Sequence, residues 1–161
     1  MPLAPIVLPP PAHPAWDSAK VIALRFHTRG KGNPLIVGGV ANGYAESSWR
    51  PDVVGDHGES FGPWQLKARF YRDPILKAIG VDITDKSATL AQHADAVLFA
   101  LGYGANAATL DAIEAAKTGE EATRLWASGF ERASAAGAVE RRVAIAPQIE
   151  VWLARVLQPD P

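Results

Sequence analysis

Tyr44-Ala45-Glu46-Ser47 and, soon after it, Val54-Gly55-Asp56-His57-Gly58-Glu59-Ser60-Phe61-Gly62-Pro63-Trp64-Gln65 decide how this chain is read. The first piece closes a run of small and apolar residues that opens with Asn33-Pro34, where a cap residue precedes proline at the first helical position. A helix from Pro34 to about Ser47 therefore ends on a carboxylate, Glu46. Gly38, Gly39 and Gly43 lie inside it. Each interior glycine costs roughly 0.5–1 kcal/mol against alanine, so this helix is credible only if packed tightly on all sides. Its rival is a buried strand at Leu35 to Val37. In the second piece Gly55, Gly58, Gly62 and Pro63, with Pro51 before them, permit turns and a small hairpin that has Val53-Val54 on one arm.

Outward from this centre the pattern is helical. Asp17 or Ser18 can cap a helix running to Thr28, which Gly30 and Gly32 end. Gln65 to Gly80 reads as one helix or two short ones, with Pro74 marking a break. Ser87 caps a helix through Leu101, with Leu90, Ala94, Val97 and Leu98 on one face and Gly102 as its stop. Asn106 to Lys117 and Glu120 to Ser128 read as helices. The last runs from about Ala138 to Leu157, where Pro147 kinks it or divides it in two. Trp16, Trp126 and Trp152 belong to the core. The class is mainly α, with a small β/loop region after the second helix. Residues 16–158 form one domain. Residues 1–15 form a proline-rich extended arm that wraps the domain or links it to a partner.

Composition excludes several functions. A length of 161 residues suits one sizeable core. The net charge of −1 gives no electrostatic case for nucleic acid or for an anionic membrane surface. No apolar run reaches the ~18 residues that span a bilayer, so no membrane insertion is expected. The arm lacks Lys and Arg and is broken by prolines, which argues against a signal peptide. With no Cys there is no disulfide or thiolate metal site. His13, His27, His57 and His93 are scattered without a zinc-binding spacing, and Asp56-His57-Gly58-Glu59 lacks the alternating oxygens of a calcium loop. No metal or other cofactor is expected. A serine nucleophile fails because no His–acid pair stands at a recognisable spacing.

What remains is carboxylate chemistry. Cleaving a glycosidic bond needs a proton on the leaving oxygen and help at the developing oxocarbenium carbon. A free Glu is mostly ionised at neutral pH, whereas an apolar wall keeps it protonated. Tyr44, Trp49, Phe61 and Trp64 are near Glu46 in sequence and can supply that wall, or stack on sugar faces. Asp56, in a tight glycine loop, is the candidate second acid, and Glu59 competes with it. An acid in a wet, hydrogen-bonded loop stays ionised and can orient a water. Ser47 and Ser60 are further candidates for the substrate groove. Trp49 and Trp64 read equally as core residues, Asp56 as a turn residue, and Ser47 as a helix end.

Glu46-Ser47 resembles the catalytic Glu-Ser of goose-type lysozymes and soluble lytic transglycosylases. Gly55-Asp56-His57-Gly58 followed by Phe61-Gly62-Pro63-Trp64-Gln65 is similar to the goose-type Gly-Asp-x-Gly and Phe-Gly-Leu-Met-Gln segment. The same elements occur in lysozyme domains of phage tail proteins. The resemblance implies a lysozyme-like fold, Glu46 as general acid, Asp56 positioning the water and Gln65 lining the groove floor. Pro63-Trp64 departs from the usual Leu-Met, and Lys67 stands where goose-type enzymes often have a further acid. Gly102-Tyr103-Gly104-Ala105-Asn106 only loosely echoes the transglycosylase Ala-Tyr-Asn-Ala-Gly, leaving Tyr103 as a sugar contact or a core aromatic. Gly129-Phe130-Glu131-Arg132 resembles the Phe-Glu-Arg often seen late in phage tail lysozyme domains, and reads as a structural cap or salt bridge.

The expected activity is a muramidase that hydrolyses the β-1,4 bond between N-acetylmuramic acid and N-acetylglucosamine in a peptidoglycan glycan strand. A lytic transglycosylase and a non-catalytic glycan-binding or structural phage tail module are the alternatives. The low charge and the missing signal favour a virion-associated enzyme, or one released from the cytoplasm through a holin, acting on the cell wall beside other tail or baseplate proteins. The ending Gln158-Pro159-Asp160-Pro161 fits a linker stub of a longer tail protein.

Overall fold

A computed structural model describes residues 2–158; Met1 and Pro159-Asp160-Pro161, on which most of the linker reading falls, lie outside the described residues. Helices α1 (Ala15–Thr28) and α2 (Asn33–Ser47) are followed by three short strands, β1 (Val54–Gly55), β2 (Ser60–Phe61) and β3 (Leu66–Lys67). Then come α3 (Ala68–Ile79), α4 (Leu90–Leu101), α5 (Ala107–Ala115), α6 (Gly119–Leu125), α7 (Ala138–Val143) and α8 (Ala146–Val156). The mainly helical lysozyme-like arrangement expected from the sequence is present, with its small sheet directly after the second helix. Among the described residues no single helix is long and apolar enough to cross a membrane.

The second element is a helix and not a strand, and its enclosure explains how it tolerates three glycines. Every residue from Leu35 to Gly43 is buried. A Cβ at Gly39 would stand 2.4 Å from the Phe26 ring, and one at Gly38 3.1 Å from the backbone of Ala122. Without side chains there, α1 and α6 close directly onto α2. The propensity lost to glycine is recovered as close packing. Phe26, Trp64 and Trp126 form an aromatic group over this helix, with centroids 5.6–6.5 Å apart. Trp16 packs on Trp49 and Trp152 at 4.9 and 5.0 Å. The core roles expected for Trp16, Trp126 and Trp152 are met.

Several boundaries differ from expectation for local reasons. Helix α1 starts at Ala15, before Asp17 and Ser18, because a turn from Pro10 to Pro14 serves its first N–H groups: Ala15 donates to His13 Nδ1 and Trp16 to the His13 carbonyl. Thr89, not Ser87, caps α4, since Thr89 and Gln92 bond reciprocally as a capping box, while Ser87 is held by Asp85. Pro74 sits inside an unbroken α3. The carbonyl it frees belongs to Phe70, which is exposed to water. Pro147 divides the last helical run, starting α8 anew.

The proline arm lies along the domain. Tyr44 Oη donates to the Val7 carbonyl at 2.8 Å, and Trp16 Nε1 donates to the carbonyls of Pro9 and Pro10. Ile6 and Leu8 pack against the core.

His93 on α4 is buried against Gly62, and its Nε2 has no partner among the described residues. Burial pushes the imidazole down from 6.5 to about 4. The unfolded chain binds a proton below 6.5, whereas the folded chain resists until about 4. The contribution to stability is therefore whole above 6.5 and is lost as pH falls through that window, by about 3 kcal/mol in all. Urea unfolding at about pH 7 and about pH 4.5 should show this loss in the wild type and a much smaller one in His93→Leu. Equal losses in both would place the acid sensitivity elsewhere.

Candidate functional site

The site begins at the end of α2. Ser48 and Trp49 both take left-handed backbone angles, with φ of 55° and 62°, and reverse the chain there. Trp49 folds back so that its Nε1 donates to the Val40 carbonyl at 2.8 Å. Ser47 Oγ donates to the Gly43 carbonyl and accepts from the Arg50 N–H. These bonds fix the last turn, from which Glu46 projects. Left-handed non-glycine residues are strained. All six among the described residues (Ser48, Trp49, Asp56, His57, Gln65 and Arg132) lie at the end of α2, in the β region or beside Glu131.

Glu46 meets a cation. Arg142 on α7 donates from Nη2 to Glu46 Oε1 at 2.6 Å and from Nη1 to Asn42 Oδ1 at 3.0 Å. Asn42 and Glu46 are four residues apart and share one face of α2. Asn42 is itself fixed by donating to the carbonyls of Gly38 and Thr123. The apolar wall expected around Glu46 is thus corrected. Trp49 and Trp64 are 0% and 1% exposed, and the indole N–H of Trp64 donates to the Gly39 carbonyl at 2.9 Å. Trp64 packs against Gly43 and only edges the floor of the cleft, while Trp49 is fully enclosed and has no face for a sugar. Tyr44 packs at a tilt on Trp49 and anchors the arm.

A cleft of about 630 Å³ opens between β3, α3 and the segment after α6, lined among others by Trp64, Gln65, Lys67, Tyr103, Phe130, Glu131 and Arg132; Glu46 and Arg142 are not among its lining residues. After α6 the chain widens into a π turn at Trp126–Phe130, a feature frequent at functional sites. The turn carries Glu131 to the cleft wall: its N–H donates to the Trp126 carbonyl, and its Oε1 accepts from Trp126 Nε1 at 3.1 Å. Burial of the Glu131 carboxyl pushes its pKa well above the usual carboxylate range, the nearby negative charge of Glu46 adds to this, and Arg142 opposes it. Of the two readings of Glu131, the cap holds, since its N–H closes the π turn onto the Trp126 carbonyl, and the salt bridge is corrected, since it forms no ion pair among the described residues.

The sheet holds the second candidate. Strands β1, β2 and β3 pair antiparallel, placing Ser60 opposite Gly55 on one side and Lys67 on the other. Ser60 Oγ donates to Asp56 Oδ2 at 2.6 Å, and Lys67 Nζ is 3.3 Å from the same oxygen. The Ser60 hydrogen bond and then Lys67 hold the Asp56 carboxyl below its ordinary value. Asp56 is exposed and is joined to the cleft through Lys67. Ser60 is buried under Asp56, Phe61 is half-buried, and Glu59 is exposed and does not line the cleft. Gln65 reaches the cleft, but its amide donates to the carbonyls of Val53 and Gly62, stitching the loop. Tyr103 is exposed at the cleft and stacked on Phe99 at 5.5 Å. Among the described residues no group of three or more His, Asp or Glu is placed to hold a metal ion.

Two residues of this constellation were not expected to take part. The motif around Glu131 was visible in sequence, but nothing local tied it to Glu46. Arg142, 96 positions from Glu46, carries no local signal at all. No curated protein and no solved structure matches the chain. The family model described as phage tail lysozyme matches residues 17–153.

Proposed function

Because the chain belongs to the phage tail lysozyme family, with the lysozyme-like, peptidoglycan-acting role that membership carries, we propose that it is a muramidase. It hydrolyses the β-1,4 bond between N-acetylmuramic acid and N-acetylglucosamine. Glu46 protonates the leaving oxygen, and Asp56 orients the attacking water. Tyr103 and Gln65 contact the glycan from the cleft walls, and Lys67 joins the cleft to Asp56.

The observation that carries hydrolysis is Asp56. Ser60 and Lys67 keep it ionised in a wet loop, as a water-orienting carboxylate needs. A lytic transglycosylase works with one acid and gives a 1,6-anhydro end. Mass spectrometry of digested wall separates the two, since anhydro ends are lighter by one water. Free reducing ends are expected, and anhydro ends alone would overturn hydrolysis. The Glu46–Arg142 pair is the one observation favouring a non-catalytic glycan-binding module, because a paired carboxylate has no proton to give. A virion-associated enzyme, delivered to the wall with other tail or baseplate proteins, fits the family and the near-neutral charge.

A further inference from the structure

An acid that must donate a proton is found accepting a hydrogen bond from a guanidinium, while a second carboxyl a short way off has no cation of its own. Arg142 spends Nη2 on Glu46 and Nη1 on Asn42, and its Nε has no partner among the described residues. Glu131 spends only Oε1, on Trp126 Nε1. It faces the cleft, whereas Arg142 lies behind it. The charged groups facing Glu131 are Glu46 from α2 and Arg142 from α7. Lys67, Arg69 and Arg132 line the same cleft.

We propose that Glu131 is a positioning residue that holds the working proton for Glu46, with Arg142 passing from one carboxylate to the other during turnover. This rests on Glu46 being the acid. At rest Arg142 pairs with the Glu46 carboxylate, and Glu131 carries one proton. When glycan fills the cleft, Arg142 turns to Glu131. The Glu131 O–H bond breaks as an O–H bond forms on Glu46, and the charge of the cluster does not change. Glu46 then gives that proton to the leaving oxygen, whose bond to the anomeric carbon breaks. Two carboxylates and one guanidinium remain, a net negative cluster facing the cationic ring carbon. The attacking water forms the new C–O bond and loses its proton through Asp56 to solvent, and solvent returns one proton to Glu131. The raised pKa of Glu131 fits this storage role, since a group that must arrive protonated at neutral pH needs it.

The test uses the full chain as wild type, Glu131→Gln and Glu46→Gln. Clearing of purified wall is followed from about pH 4 to about pH 9, and the Glu carboxyl carbons are titrated by NMR. Glutamine keeps the shape of Glu131 and can still accept from Trp126, but it stores no proton. Its profile should lose activity on the alkaline side at least about one pH unit earlier than wild type, with about a tenfold loss near pH 7. NMR of the wild type should show one glutamate titrating above the ordinary range, absent from Glu131→Gln. A uniform loss with an unshifted profile would make Glu131 merely structural and overturn the inference. If the variant does not fold, the wild-type titration decides, and a Glu131 carboxyl in the ordinary range overturns it. Glu46→Gln separates the two layers: full activity in that variant removes the acid assignment itself, whereas inactivity beside an unshifted Glu131→Gln profile leaves that assignment standing and removes only the relay.

Discussion

Glu46→Gln should lose about 10²–10⁴-fold of wall-clearing rate, the usual worth of a positioned general acid, while remaining folded and bound to wall. The amide matches the carboxyl in shape, and its oxygen can still accept from Arg142 Nη2, so the α2–α7 contact survives. The last turn of α2 does not depend on the Glu46 side chain. It is fixed by Ser47, Ser48 and Trp49. What disappears is the only atom in the proposal that can carry a proton to the leaving oxygen. Three measurements together make the result decisive: turbidity of purified wall, sedimentation of the protein with that wall, and the circular dichroism melt. Loss of clearing with unchanged binding and melting assigns chemistry to position 46. Clearing at the wild-type rate would remove the acid assignment from Glu46, whereas no clearing by either protein would transfer the chain to the glycan-binding class that the Arg142 pair favours.

Local signals served well where local forces decide. Pro34 marks the start of α2, although the cap is Gly32 and not Asn33, which makes no side-chain cap bond, and the glycines and prolines from Pro51 to Pro63 mark the only sheet among the described residues. Thr89-x-x-Gln92 was an available cap signal that outcompetes Ser87, because it satisfies two backbone groups at once. The direction of Trp49 and Trp64 was not legible. An indole next to a candidate acid reads as a platform until one knows that Gly43 on α2 leaves room for Trp64 inward and that Trp49 turns back onto the Val40 carbonyl. The identity of the charge partner was equally hidden. Arg142 reaches Glu46 only once α7 has been laid against α2, and the π turn that aims Glu131 at the cleft depends on Trp126 packing over Gly39. Residue types suggested an acid in an apolar wall, but tertiary packing put a guanidinium there and moved the unpaired acid to position 131.

Arg142→Met should cost about 3 kcal/mol, and the cost should grow with pH. The guanidinium satisfies two groups on α2 at once. Asn42 is 0% exposed and would be left with an unpaired Oδ1, a loss of roughly 1–3 kcal/mol. Glu46 would lose its cation. Breaking such a pair in a fully dry interior costs ~3–5 kcal/mol, but the Glu46 side chain keeps 22% of its surface in solvent, so water recovers much of this. For a chain of this size the total corresponds to a melting temperature lower by roughly 6–12 °C. The pH dependence follows from the neighbour. Glu131 already has a raised pKa in the wild type, with Arg142 opposing the rise. Removing that cation raises it further. A carboxyl raised above its unfolded value contributes stability below that value and loses it as pH climbs through the folded one. Wild type and variant should therefore lie closest in mildly acidic urea titrations and farthest apart in alkaline ones. The double variant Glu46→Gln/Arg142→Met should regain part of the loss, since it no longer leaves a carboxylate without a partner, and the size of that recovery measures the coupling between the two side chains. A single variant as stable as wild type at every pH would mean that the pair neither holds α7 to α2 nor restrains Glu46, and the restraint that the proton exchange exists to relieve would vanish with it.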